Sequence, residues 1–311
     1  MPRTQHEPQM WPKLNWNAWK DTANTLHMWT QIVGKTRLAL TPVLNHWWNV
    51  PLYLSARGLT TSAMPCNCEL LEIEFDFVSH DLRFRISSGV TLSVPLQAKS
   101  VADFYAEYQS CLAALGVVVD LHPMPVEVTD PIPFDKDEKH RSYDPVYAHR
   151  FWRVLSSVSC LFRQFSSHFI GKQSPVHFFW GSFDLAITRF SGRLAPPREN
   201  ADRVTREAYS HEVISAGFWP GNGGYGAAAF YCYAAPQPEG FDREKVLPLS
   251  AHYDTKLGEF LLKYDDVLAA PSPDCAILDF LESTYDAAAT LAKWDRPALE
   301  RQVMSSSIVS P

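Results

Sequence analysis

The sequence predicts an α+β protein built from two pseudo-symmetric α-β4-α halves, with mainly antiparallel sheet and helices packed on one face. Three observations carry this expectation. Long segments place apolar residues at 3–4 spacing, the mark of one buried helix face. Between them lie groups of short segments that alternate in period two. The order helix, four strands, helix then occurs twice along the chain. The 311 residues are 46% apolar and 13% aromatic, too apolar for a disordered chain and enough for a large core. Lys plus Arg total 28 against 34 Asp plus Glu, a formal charge of -6. That balance argues against a surface for nucleic acid or anionic membrane spread over the molecule.

Residues 1–17 read as a lead-in. A helix follows from Ala18 to Leu40, with Trp19, Ala23, Leu26, Thr30, Val33, Arg37 and Leu40 on one face and Pro42 closing it. Trp47 to Leu59 reads as a strand, as do Leu70–Phe77, Asp81–Ile86 and Val90–Leu96, with a tight turn at Ser79-His80. Ser100 caps a helix over Val101–Leu115 that stops at Gly116. Val117–Leu121 reads as a short strand, which completes a first half over 18–122. The stretch 123–143, with Pro123, Pro125, Pro131 and Pro133, reads as an extended linker. Asp144-Pro145 opens the second half, 144–295, with a helix to Phe169. Pro175–Phe190 reads as one long strand, 193–206 as a loop, and Ala208–Trp219, Ala227–Ala235 and Glu259–Tyr264 as strands. Asp274–Lys293 is the closing helix, and 296–311 a flexible tail.

Residue matches support the repeat. His27-Met28-Trp29 precedes Pro51 much as His149-Arg150-Phe151-Trp152 precedes Pro175, and each proline opens a strand. Gly89-Val90-Thr91-Leu92 matches Gly258-Glu259-Phe260-Leu261, and Ala102-Asp103-Phe104-Tyr105 matches Leu278-Asp279-Phe280-Leu281. A ligand cleft is expected between the halves.

Several longer motifs point further: Leu26-His27-Met28-Trp29-Thr30-Gln31-Ile32-Val33-Gly34-Lys35, Asn45-His46-Trp47-Trp48-Asn49-Val50-Pro51-Leu52-Tyr53, Ala56-Arg57-Gly58-Leu59-Thr60-Thr61, Pro175 to Asp184, and Ser210-His211-Glu212-Val213-Ile214-Ser215. With them the chain, from about Trp11 to Arg301, resembles a bacterial family known as domain-of-unknown-function family 5996. The resemblance implies no activity and transfers no catalytic residue.

Candidate site residues must therefore rest on their own chemistry. In the first hairpin, Glu72, Glu74, Asp76, Arg83 and Arg85 share one face. The tight turn pairs Asp76 with Arg83 and Glu74 with Arg85, which describes a solvated face of ion pairs. The second-half hairpin replaces those charges with Tyr231 and Tyr233. An aromatic, sparsely polar face describes a cavity wall or an interface. His177 and Asp184 share a face only if Gly181-Ser182 holds a bulge; otherwise His177 is a core histidine. With a bulge, Tyr53, Arg57, His177 and Asp184 point into one cleft. His177, Asp184 and His211 are then candidates for acid–base catalysis or for a two-His-one-carboxylate site holding Fe, Mn or Zn. Arg57 would hold an anionic substrate group. Tyr53, His46, Trp180, Trp219, Tyr231 and Tyr233 would contact the substrate, with Trp47 and Trp48 nearby. Gly221–Gly226 lacks the setting of a phosphate loop and reads as a loop or lid.

No run approaches the roughly 18 apolar residues of a membrane helix. The N-terminus lacks the apolar core of a secretory signal. Six scattered cysteines, with only Cys66 and Cys68 close together, fit reduced thiols in the cytoplasm. Three functional readings follow: an enzyme on a small organic molecule, a non-catalytic small-ligand-binding protein using the same cleft, or a scaffold that binds partners through Pro123–Pro133. The first needs convergent polar side chains, the second an enclosed aromatic cavity, the third an exposed apolar patch without a pocket. The oligomeric state is not encoded in any of these features.

Overall fold

The computed structural model describes residues 10–302. The expected lead-in and tail therefore lie partly outside the described residues. The elements run α1 (Trp16–Leu40), β1 (Tyr53–Leu54), β2 (Gly58–Thr60), β3 (Met64–Cys66), β4 (Glu69–Asp76), β5 (Asp81–Ile86), β6 (Thr91–Pro95) and α2 (Val101–Ala114). They continue with α3 (Pro145–Ser167), β7 (His177–Phe179), β8 (Asp184–Leu194), α4 (Arg203–Ala208), β9 (His211–Trp219), β10 (Ala229–Ala235), β11 (His252–Asp254), β12 (Glu259–Lys263), α5 (Tyr264–Ala269), α6 (Pro273–Leu291) and α7 (Arg296–Leu299). The class is α+β with two antiparallel six-stranded sheets.

Helix starts follow the residues that can cap them. Asn15, Ser100, Asp144 and Ser272 each accept a hydrogen bond from a first-turn N–H of α1, α2, α3 and α6. Pro145 and Pro273 sit at first-turn positions, where a missing N–H costs nothing.

The first sheet has the order β1-β2-β4-β5-β6, with β3 on β4; the second has the order β7-β8-β9-β10-β12-β11. The sheets meet at their inner edges. Leu52 and Phe178 exchange both backbone N–H···O=C bonds at 2.9 Å. α1, α2, α3 and α6 cover one face. Trp29 of α1 stacks on Phe104 of α2 at 4.5 Å, and Phe84 of β5 packs on Tyr108. Under α3 and α6, Leu185, Ile187 and Arg189 of β8 point into the core. The buried Arg189 guanidinium lies 3.4 Å from the Phe165 ring centre and 4.3 Å from that of Tyr285. It also donates to the Phe165 carbonyl at 2.5 Å. Burial depresses its pKa to about 10.

Several expectations are corrected. Each sheet has six strands rather than four. The expected strand 47–59 is a 3-10 turn at Asn45–Trp47 followed by two very short strands. His46 and Trp47 have left-handed backbones, and Ser55 Oγ accepts from the N–H groups of Arg57 and Gly58 to make a turn. Residues 117–121 form no strand. The stretch 123–143 has one 3-10 turn, Phe134–Lys136, but it is strapped down, with Phe134 and Asp137 wholly buried. Within the expected loop 193–206, β8 runs on to Leu194 and α4 begins at Arg203. Residues 296–302 are held rather than loose: α7 forms, and Glu300 bridges to Phe169.

The first hairpin has a four-residue connection, so Asp76 faces Asp81 and Glu74 faces Arg83. The expected ion pairs form on the diagonal instead, Asp76–Arg83 at 3.1 Å and Glu74–Arg85 at 2.7 Å. This face is less solvated than its charges suggest, because Asp76 and Glu74 are buried under the β1–β2 turn. Burial pushes the Asp76 carboxyl up, but Arg57, the Ser79 and Val78 N–H groups and Arg83 outweigh it and hold the carboxyl below its ordinary range.

No helix among the described residues is long and apolar enough to cross a membrane. All six cysteines are free thiols.

Trp180 sits on α1 over Gly34 and donates from Nε1 to the Val50 carbonyl at 2.9 Å. A Cβ at Gly34 would strike the indole ring. Alanine normally gains about 1 kcal/mol over glycine inside a helix. Here Gly34→Ala is expected to lower stability by roughly 1–3 kcal/mol through overpacking, measured by urea unfolding.

Candidate functional site

The face of the second sheet turned away from α3 and α6 carries a depression. Three rows of side chains cross it. Phe179, Asp184 and Trp219 form one, His177, Ala186, Gly217 and Tyr231 the next, and Thr188, Ser215 and Tyr233 the third. The middle positions are small: Ala186, Gly217, Thr188 and Ser215. They leave a depression with a cavity of about 490 Å³ above the sheet. α4 and Tyr209 close one side. His46 and Trp48 from the first half close another, and Glu127 from the strap reaches the edge.

The aromatic residues are tied together. Tyr231 and Tyr233 stack with ring centres 6.1 Å apart, and Tyr233 and Tyr209 share a hydrogen bond at 2.8 Å. Gly217 allows Tyr231 to lie across the sheet, since a Cβ there would hit the phenol. The Tyr231 hydroxyl donates to Asp184 Oδ2. Ser182 Oγ donates to Asp184 Oδ1. Thr188 and Ser215 hydroxyls pair at 2.9 Å.

Asp184 is 5% exposed. Burial raises its pKa, against the hydrogen bonds from Ser182 and Tyr231. Glu127 is raised by burial of its carboxyl and then by the charge of Asp184. Glu259, on β12, is pushed up to about 7 by burial, then by Asp184 and Asp254. Glu127 owes its position to α1. The Gln31 amide donates to the Val126 carbonyl at 2.9 Å and accepts from the Val126 N–H at 2.8 Å. His27 Nε2 lies 2.8 Å from the Gly181 carbonyl, to which it donates. Glu127 itself has a left-handed backbone, φ 54. Its carboxyl fills the space a side chain would take at Gly181, 2.6 Å from where a Cβ would sit.

At the rim, Lys172 Nζ donates to His46 Nε2 at 2.5 Å, and His46 Nδ1–H donates to the Glu207 carbonyl at 3.1 Å. This pattern fixes a neutral imidazole. Burial lowers its pKa, and Lys172 lowers it further.

Of the residues expected from sequence, His46, Asp184, Tyr231 and Tyr233 line the cavity. Trp219 continues the aromatic row, 6.1 Å from Tyr231. His177 and Asp184 do share a face, but not through a bulge. Residues 177–190 are a hairpin that turns at 180–183, with His177 opposite Ala186 and Phe179 opposite Asp184. His177 is packed edge-on against Trp48, Tyr53 and Phe179, and neither ring nitrogen has a partner. Burial, then Arg37, lowers its pKa to about 3.

His211 lies at the far end of β9, six residues from Gly217, or roughly 20 Å of strand from the row of His177. The set His177, Asp184 and His211 therefore cannot close on one Fe, Mn or Zn ion. Among the described residues no three His, Cys, Asp or Glu side chains are grouped to hold a metal. Arg57 is engaged with Asp76 at 2.6 Å and with Ser79, on the first sheet, and is not free for a substrate anion there. Trp180 is a buried junction residue. Tyr53 lies between His177 and Arg37, whose guanidinium is 5.3 Å from its ring centre.

Sequence reasoning missed Glu127, Ser182, Thr188, Ser215 and Tyr209. The small residues at alternate positions, Ala186 and Thr188 on one strand and Ser215 and Gly217 on the next, are the signal that marks a hollow. Nothing in the strap marks Glu127.

The model of a family described as a family of unknown function, DUF5996, matches residues 11–301. The chain belongs to that family. No curated protein and no solved structure matches the chain.

Two titrations report on these surroundings. His177 has a depressed pKa, so its contribution to stability is full above the ordinary 6.5 and is lost as pH falls toward about 3. In thermal melts, His177→Phe is expected to flatten the decline in Tm between pH 6.5 and 4. Glu259 is raised, so stability falls as pH rises from the ordinary 4.5 through about 7. Glu259→Gln is expected to raise Tm at pH 8 and leave it unchanged at pH 4.

Proposed function

We propose that this protein is an enzyme of small-molecule chemistry, with the open face of the second sheet as its binding site and Asp184 as the group that moves a proton. The observation that carries the reading is the Asp184 carboxyl, buried at the base of a polar, aromatic cavity, with a raised pKa and held by Ser182 and Tyr231. A carboxyl shifted toward neutrality is suited to give or take a proton near working pH. Glu127, coupled to it, is the second carboxyl of an acid–base pair. Trp48, Phe179, Tyr209 and Tyr233 exclude water and orient a planar or apolar body. Lys172, held on His46, guards the opening.

A second reading is non-catalytic binding in the same cavity. It is favoured by the internal pairing of Thr188 with Ser215 and of Tyr209 with Tyr233, which leaves those hydroxyls little work on a substrate. Both readings place the ligand within reach of first-half residues, as a cleft between the halves requires.

The test is a chemically unbiased small-molecule thermal-shift screen, followed by mass spectrometry of incubated hits. Tyr231→Phe should weaken binding of a true hit. Asp184→Asn should lose turnover by about 10²–10⁴-fold beyond any loss of binding. Hits that bind equally to wild type, Tyr231→Phe and Asp184→Asn would place the site elsewhere. Binding without any product would establish the second reading.

A further inference from the structure

We infer that the molecule held in this cavity is a cation, an ammonium or guanidinium compound with an apolar or aromatic body. The inference deepens the reading above and rests on it. The charged side chains of the lining are Glu127, Asp184 and Asp202, and no lysine or arginine lines the cavity. Asp202 spends part of its carboxylate capping α4, through Val204 and Thr205. Asp184 and Glu127 are not offset by any basic neighbour: Asp184 feels burial and hydroxyl and backbone donors, and Glu127 feels burial and the charge of Asp184. Lys172 sits at the rim, where its ammonium is held by His46 Nε2 over the rings of Trp48 and Phe190, and it is not part of the lining.

A second observation, independent of the carboxylates, points the same way. His177 is 1% exposed, lies in the row of Ala186 on the cavity side of the sheet, and has no partner for either ring nitrogen. Burial keeps it neutral, so it offers a lone pair rather than a charge. It adjoins Trp48 and Phe179, which themselves line the cavity. Acceptors thus gather beside the cavity with no cation among them: Asp184, which takes hydroxyl donors from Ser182 and Tyr231, Glu127, and the unpaired imidazole of His177 just behind the lining. The faces of Trp48, Phe179, Tyr231 and Tyr233 add the negative quadrupole that attracts a cation. An anion would meet uncompensated repulsion from Asp184 and Glu127. A neutral alcohol can donate a hydrogen bond but leaves the charge of the two carboxyls unmatched. An ammonium supplies N–H donors together with the matching charge. Glu127, placed by Gln31 and Gly181, is the member that meets the ligand from the strap side.

The experiment uses matched probes on the full chain at pH 8, with binding read by calorimetry and thermal shift. Tyramine, tyrosol and 4-hydroxyphenylacetate share a ring and a two-carbon arm but differ in charge. Tryptamine, tryptophol and agmatine extend the series. The expected result is that at least one amine binds tenfold or more tightly than its matched alcohol, and that the anion does not bind. Glu127→Gln should weaken the amine at least fivefold. That residue is on the exposed strap, so the variant is expected to fold even where Asp184→Asn does not. Alcohol or anion binding as strong as the amine, and sensitive to Tyr231→Phe, would overturn the cation while keeping the pocket. Amine binding indifferent to both Glu127→Gln and Tyr231→Phe would overturn it as adventitious. Failure of every amine to bind would also overturn it, and the unbiased screen would then judge the pocket separately.

Discussion

The shape of this molecule depends on one pair of hydrogen bonds. Where Leu52 and Phe178 exchange N–H···O=C contacts at 2.9 Å, two meandering sheets become neighbours edge to edge. Each sheet would otherwise end in an unpaired inner edge, an exposed template for aggregation. Joined, they present one long face to α1, α2, α3 and α6 and one long face outward. The core is thus one-sided, and the outward face must account for its own polar and aromatic groups. In the first half it does so by charge pairing under the β1–β2 turn. In the second it does so by forming a hollow.

The two sheets differ most in how they answer their buried acids. Asp76 and Glu74 are buried but answered by Arg57, Arg83 and Arg85. Asp184 is buried on the other sheet and answered only by hydroxyls. A carboxylate that is desolvated and denied a cation costs stability. The surrounding small residues, and Gly217 in particular, give up packing as well. Both costs fall at one place, which is the ground for the binding site proposed there.

Much of this was legible in the sequence. Caps at Ser100, Asp144 and the proline after it marked helix starts, because short side-chain acceptors satisfy free N–H groups locally. The alternation in 70–86 marked which face of the first hairpin is apolar. The contrast between that hairpin and Tyr231 and Tyr233 marked the second sheet as unusual. What escaped was set by long-range geometry. The turn at 180–183, with Phe183 in a left-handed conformation, folds an apparently continuous strand into a hairpin and brings His177 and Asp184 to one side. The four-residue connection at 77–80 shifts the register by two, which alternation alone cannot detect, since a shift of two preserves every face. His211 was read as a neighbour of His177 because adjacency across strands depends on where along the strand each residue falls. Glu127 was invisible because its placement is decided by Gln31, 95 residues before Val126.

The strap has a consequence for how such a protein can change over time. Glu127 sits on an exposed segment outside both sheets, and its contact partner at Gly181 is a bare backbone. Replacing it disturbs no core packing, so the cost in folding is small, while the chemistry offered to a ligand changes outright. The acid buried at Asp184 has no such freedom. On the proposed reading, selectivity and foldability are therefore carried by different parts of the chain. On that same reading, descendants of one scaffold would exchange one ligand for another by altering the strap alone, while the sheets beneath stay fixed.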